Sequence, residues 1–281
     1  MAHALAAVAP LMRTFTGTLV AVCSADQLDE TQSTLHALHA RAAVRPVVVT
    51  FGDLPQPPMR DVDGATIVAE LLPRYLDNVV AARRLSSLPA LAWWRGGDPG
   101  ALAALAPLVD RLVLDSQDPL SDWSAATRLL EVTALSDLRW TRLTRWRNLM
   151  AQFFDLPAIR EAAARFSTLE IDAGDEPAAR LLAAWLSRRL PTAAPLQVRI
   201  MAAPHSMSRI SLAGPQHRLE LSLTAAGTCV RASVTDAAQR LTERTVSLGN
   251  QSLAALLEEE MRIRARDGAF EDALRSLVEA A

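Results

Sequence analysis

Short apolar runs rich in β-branched residues recur through the first half of the chain, with helical spacing between them. This alternation restricts the fold more than any other feature. Residues 18–23 (TLVAVC), 44–51 (VRPVVVTF), 65–72 (ATIVAELL), 88–94 (LPALAWW) and 111–115 (RLVLD) read as strands. Helical spacing runs from Asp26, a candidate N-cap, through Leu28, Leu35 and Leu38 to Arg41, and recurs over residues 75–85, from Pro99 and from Ser121. Arg95-Gly96-Gly97-Asp98-Pro99 closes the strand at 88–94. Its glycines permit a sharp turn, Asp98 can cap, and Pro99 suits the first position of a helix. Strand, helix, strand, helix is the order of an α/β domain with a mostly parallel sheet.

From about Ser167 the texture changes. One strand (168–172) and one amphipathic helix (176–190) precede five closely spaced strands at 196–201, 208–213, 218–224, 228–235 and 244–248, punctuated by Gly214-Pro215 and Ala226-Gly227 as hairpin turns. Two helices, 251–264 and 267–280, end the chain. This pattern predicts an α+β domain with an antiparallel sheet and helices on one face, so two domains are expected, 1–156 and 157–281.

Half of the 281 residues are hydrophobic, enough for two cores, and 29 basic residues stand against 31 acidic ones. No basic block stands out, which disfavours a nucleic-acid partner. No apolar run approaches the roughly 20 residues that span a bilayer, so no membrane role is expected. Residues 1–15 read as a short helix, because a basic n-region is missing and Pro10 and Arg13 interrupt the apolar stretch. Cys23 and Cys229 are too few for a disulfide framework or a cysteine zinc site, which suits a reducing cytoplasm. The chain contains no lysine, so a P-loop, a pyridoxal-phosphate enzyme and a Schiff-base aldolase are excluded. A Gly-rich dinucleotide fingerprint is absent as well.

Individual residues offer little chemistry. His36 and His39 lack a third ligand nearby and read as surface histidines. Ser116 stands beside acids without a nucleophile elbow, so a capping role at the strand end is expected of Asp115 and Ser116. Trp93 and Trp94 point to opposite faces of their strand, as core residues or as a partner anchor. Glu258-Glu259-Glu260 reads as a solvated face.

The most distinctive stretch is 137–155, DLRWTRLTRWRNLMAQFFD, with two of the six tryptophans and four arginines. Drawn as one helix, it groups Leu143, Trp146, Met150, Phe153 and Phe154 in an apolar arc that also takes in Arg139 and Arg142. A guanidinium there needs a buried ion pair, a bound anion or a partner surface. Because arginine is the sole strong base, a structural role weighs more heavily than binding.

Three segments in this order, LPALAWWRGGDP (88–99), DRLVLDS (110–116) and the stretch 137–155, resemble the OpcA family, the glucose-6-phosphate dehydrogenase assembly proteins of cyanobacteria and actinobacteria. The core WTRLTxWR at 140–147 is the most specific part. The resemblance implies a non-enzymatic protein without cofactor or metal. It would bind glucose-6-phosphate dehydrogenase, promote the active oligomer and control entry to the oxidative pentose phosphate pathway. It also marks Trp93, Trp94, Asp115, Ser116, Trp140, Thr141, Arg142, Thr144, Trp146 and Arg147 as motif residues, partner-binding or structural. Family members usually carry proline where this chain has Arg145, which implies a helix starting there, capped by Thr144, with Trp146, Leu149, Met150 and Phe153 buried. Arg147 would then lie in a first turn that disfavours cations and would require a carboxylate partner, within this chain (Asp115 or Asp118) or on another. The alternative function is a sugar-phosphate-binding α/β enzyme holding an anion on Arg139, Arg142 and Arg147.

Overall fold

The computed structural model describes residues 16–39, 41–84, 87–236, 239–263 and 265–280. The helix expected over residues 1–15 lies outside them. The first sheet has seven strands: β1 (Thr16–Cys23), β2 (Ala43–Leu54), β3 (Met59–Val62), β4 (Ala65–Leu71), β5 (Ala90–Trp94), β6 (Arg111–Leu114) and β7 (Ala134–Asp137). Their order is β3-β4-β2-β1-β5-β6-β7, and every neighbouring pair is parallel except β3 with β4. The chain winds outward from β1 to one edge and then crosses to β5 on the other side, so the topological switch lies between β1 and β5.

The helices that accompany this sheet in sequence are α1 (Leu28–His39), α2 (Leu76–Arg83), α3 (Pro99–Leu105), α4 (Pro119–Thr127), α5 (Leu138–Arg142), α6 (Thr144–Phe153) and α7 (Pro157–Ala162). Strand alternation sorts side chains to two faces. Val20, Val22, Val47, Val49 and Trp94 meet α2, α3 and α4 through Leu76, Leu102, Leu105 and Trp123. Leu19, Ala21, Val48 and Trp93 meet Leu35 and Leu38 of α1 on the opposite face.

The second sheet contains β8 (Thr168–Ala173), β9 (Gln197–Ala202), β10 (Arg209–Ala213), β11 (His217–Leu223), β12 (Cys229–Asp236) and β13 (Gln239–Ser247) in the order β13-β12-β11-β10-β8-β9. It is antiparallel except for β8 and β9, which α8 (Glu176–Arg189) joins as a parallel pair. A mostly parallel sheet followed by a mostly antiparallel one is the fold class that the sequence pattern predicts. The inner face of the second sheet (Ile171, Ile210, Leu212, Leu221, Val230, Val234) belongs to the same apolar cluster as one face of the first sheet, so one core runs through both. The outer face is polar, with Arg209 bridging Asp172 at 2.7 Å, Glu170 at 3.4 Å and Glu220 at 3.7 Å.

Of the last two helices, one returns to the first sheet and the other lies between the two sheets' helices. Leu256, Leu257 and Met261 of α9 (Leu253–Arg262) complete the face that α1 covers, and α10 (Gly268–Glu279) packs against α4, α8 and β7. The sequence pattern places both with the second sheet; α9 departs from that, whereas α10 packs chiefly on α8 of the second sheet and reaches α4 and β7 of the first.

Candidate functional site

The family-motif stretch begins where β7 ends. Asp137 is fully buried and caps α5: one carboxylate oxygen accepts from the Arg139 backbone N–H at 2.7 Å and the other from Trp123 Nε1 at 2.7 Å. Burial pushes its pKa up to about 6, against the opposing pull of Arg139. The stretch is neither one helix nor a helix starting at Arg145. α5 and α6 abut at Leu143, which keeps helical angles (φ −78°, ψ −6°), and Arg147 N–H donates to Leu143 O at 2.8 Å. Thr144 is therefore the first residue of α6 and not its cap, because α5 leaves the backbone already helical at Leu143. The buried stripe is Trp146, Leu149, Met150 and Phe153.

The α5 face clamps the end of the chain. Trp140 Nε1 donates to Asp267 Oδ2 at 2.7 Å, and its ring meets Trp185 and Phe270, with centroids 6.3 and 5.8 Å away. Asp267 in turn caps α10, accepting from the N–H groups of Ala269 and Phe270. Thr141 Oγ1 donates to Glu260 Oε1 at 2.7 Å, and Glu260 also takes Arg111 Nη1 at 3.4 Å. Glu260 is 2% exposed and its pKa is raised by burial, so the reading of residues 258–260 as a solvated face fails there. Its spacing from Leu256, Leu257 and Met261 puts it on the apolar face of α9.

Arg147 is bound to neither Asp115 nor Asp118. Its guanidinium lies 3.7 Å from the Trp140 ring centroid and donates weakly to Trp140 O and Thr144 Oγ1, both at 3.4 Å. Burial lowers its pKa to about 10, with Asp267, Glu259 and Glu260 opposing. The aromatic face and the returning C-terminal acids take the place of the expected carboxylate.

A second group gathers at the carboxyl ends of β5 and β6. Trp93 and Trp94 are both fully buried, one in each core layer; Trp93 Nε1 donates to Asp115 at 3.2 Å and Trp94 Nε1 to Asp122 at 3.1 Å. Arg95 lies over Trp93 and pairs with Glu30 at 2.5 Å and Asp115 at 3.4 Å. Burial raises the pKa of Asp115, while Arg142 and Arg95 pull it down. Ser116 is buried, and its carbonyl accepts from Arg139 Nη2 at 3.0 Å. Arg139 Nε donates to Asp175 at 3.2 Å, and Asp175 caps α8 through Ala178 N–H. Arg139 thus ties the first sheet to the helix of the second.

Arg139 and Arg142 also line a cleft of about 250 Å³ between α5–α6 and the second sheet, together with Trp146, Asp175, His205, Ser206 and Gln251. The motif residues therefore divide. Trp140, Thr141, Thr144 and Arg147 face the returning helices; Trp93, Trp94, Asp115 and Ser116 sit under the strand ends; Arg142 and Trp146 face the cleft. Sequence reasoning missed Arg95, Asp137, Asp175, Glu260 and Asp267. Asp137 and Asp267 do carry a readable signal, an acid directly before a helical run.

A family model describing the C-terminal domain of a glucose-6-phosphate dehydrogenase subunit, under the name OpcA, matches residues 133–274, just over half of the chain. This chain belongs to the OpcA family. The matched region opens at β7 and closes within α10, so it takes in the OpcA motif together with the helices that the motif clamps. Two curated OpcA relatives, each named as an OxPP cycle protein, come from cyanobacteria. That of Nostoc punctiforme is 25% identical over 71% of this chain and 52% of its own length. That of Synechocystis is 26% identical over 51% of this chain and 32% of its own length. The chain thus spans about half or less of these relatives. Among solved structures, an aldose-aldose oxidoreductase from Caulobacter crescentus aligns over 94% of this chain and 96% of its own, with TM-score 0.53 and 11% identity. An oxidoreductase from Sinorhizobium meliloti aligns over 94% and 95%, with TM-score 0.55 and 10% identity. At these identities the likeness is one of fold.

Proposed function

We propose that this OpcA-family chain is a non-enzymatic, cytoplasmic partner of glucose-6-phosphate dehydrogenase that assists assembly of its active form and so regulates entry to the oxidative pentose phosphate pathway. The observation that carries this reading is that the most specific part of the motif, WTRLTxWR at 140–147, lies within the region that the family model matches. The chemistry at the switch point supports it. A dinucleotide needs close backbone approach and free N–H groups after β1. Here Ser24 and Gln27 cap one another across that turn, and the crevice holds Arg95, already paired with Glu30 and Asp115, beside Asp118 and Asp122. A pyrophosphate would meet engaged donors and two carboxylates.

The sugar-phosphate enzyme reading requires three arginines on one anion. Arg147 lies over Trp140, outside the cleft that Arg139 and Arg142 line, so that constellation is not formed.

A partner that binds one state of the dehydrogenase more tightly shifts its population toward that state. Size-exclusion chromatography of the chain mixed with its cognate dehydrogenase, combined with rate measurements across substrate concentration, tests the proposal. A co-eluting complex with altered kinetics is expected; separate elution with unchanged kinetics would overturn it.

A further inference from the structure

The cleft between α5–α6 and the second sheet contains a cation that no hydrogen bond or ion pair holds among the described residues. Arg139 is held by Asp175 and Ser116, and Arg147 by Trp140, whereas Arg142 is half-buried and takes no hydrogen bond or ion pair among the described residues. Its one recorded influence is the field it exerts on Asp115. A half-buried guanidinium facing a cavity keeps its N–H donors free for the oxygens of a ligand.

The rest of the cavity matches one class of ligand. Arg139, whose charge is shared with Asp175 and Asp137, lines the same cavity, and His205 stands on the exposed loop after β9. The acid in the wall, Asp175, is already engaged by Arg139 and by the N-terminus of α8. Trp146 forms an apolar wall, while Ser206 and Gln251 offer neutral donors and acceptors. The volume of about 250 Å³ admits a molecule of a few carbons to the size of a hexose.

We propose that this cleft binds a small phosphorylated polyol or sugar, with the phosphate monoester on Arg142 and the edge of Arg139, and the hydroxyls facing Ser206 and Gln251. A ligand held there bridges α5 and α6 to the loops of the second sheet. Its occupancy stabilises their relative position by mass action. The site does not depend on the dehydrogenase reading, since it is defined by contacts within this chain.

Calorimetry and melting of the full chain at constant ionic strength test it, with inorganic phosphate, glycerol 3-phosphate and a hexose 6-phosphate as probes. Glycerol and glucose serve as uncharged controls. Expected is saturable binding of at least one phosphorylated probe at about 1 mM or tighter, none of the uncharged controls, and at least about a tenfold loss in Arg142→Gln. Arg142→Gln also removes the cation that most opposes the desolvation of Asp115, so binding is compared well below the melting temperature of the unliganded variant. His205→Gln provides a second arm and should weaken binding by removing a ring donor from the cleft wall. Absence of saturable binding of every phosphorylated probe at about 10 mM, a range covering weak metabolite sites, overturns the proposal. So does parental affinity in both variants.

Discussion

Asp137 shows how much one buried carboxylate can decide. It caps α5, receives the indole of Trp123 and has a pKa raised from an ordinary 3.8 to about 6. The folded state therefore binds this proton more tightly than the unfolded chain, and stability falls as pH rises from about 4 to about 6. The contribution is at most about 3 kcal/mol, from roughly 1.4 kcal/mol per pKa unit. Asp115, Asp122 and Glu260 are shifted the same way by burial, so they add to the trend. Urea unfolding between pH 4 and 7.5 should show this slope, and Asp137→Asn should flatten part of it. A stability that rises with pH over that range would contradict the assignment. Gly97 is a second single-residue constraint. It has φ +141°, and a Cβ there would lie 2.5 Å from the Phe51 ring, so Gly97→Ala should cost about 2 kcal/mol or more by thermal denaturation. The Gly-Gly-Asp-Pro turn is legible in sequence because each of its residues has a local reason to be there.

Among the elements, legibility follows the strength of local signal. The long β-branched strands and amphipathic helices stand close to where periodicity puts them, since burial on one face writes itself into spacing. β3 and β7 escape that reading. Each has four residues, and MRDV and ALSD carry neither a β-branched run nor clear alternation, so neighbouring strands impose the conformation. The placement of α9 on the first sheet and of α10 between α8 and α4 is invisible for another reason. The bonds that fix it, Trp140 to Asp267 and Thr141 to Glu260, join residues 127 and 119 positions apart. Arg111→Met should cost about 3–5 kcal/mol in chemical denaturation by leaving Glu260 buried without its cation. Trp140→Phe keeps the ring but leaves Asp267 without the indole donor. It should cost about 1–2 kcal/mol and speed amide exchange selectively in α10; uniform loss of protection across both sheets would show that α10 is not clamped locally.

At the scale of the whole molecule, two sheets of different character share one core, and the residues that carry the family resemblance are mostly turned inward to join them. That inward orientation separates two roles that sequence leaves merged. Trp140 and Arg147 hold the fold together, and under the proposed function partner contact falls on surface outside the clamp. Arg147→Ala removes a stacked, buried cation and should lower stability by about 1–2 kcal/mol. Titration of the cognate glucose-6-phosphate dehydrogenase with the parent chain and with Arg147→Ala, well below the melting temperature of both, tests this division most directly. A complex is expected in each case, with dissociation constants within about threefold, less than about 1 kcal/mol apart. No complex with the parent chain, or a large loss of affinity in a variant that remains folded, would contradict the division.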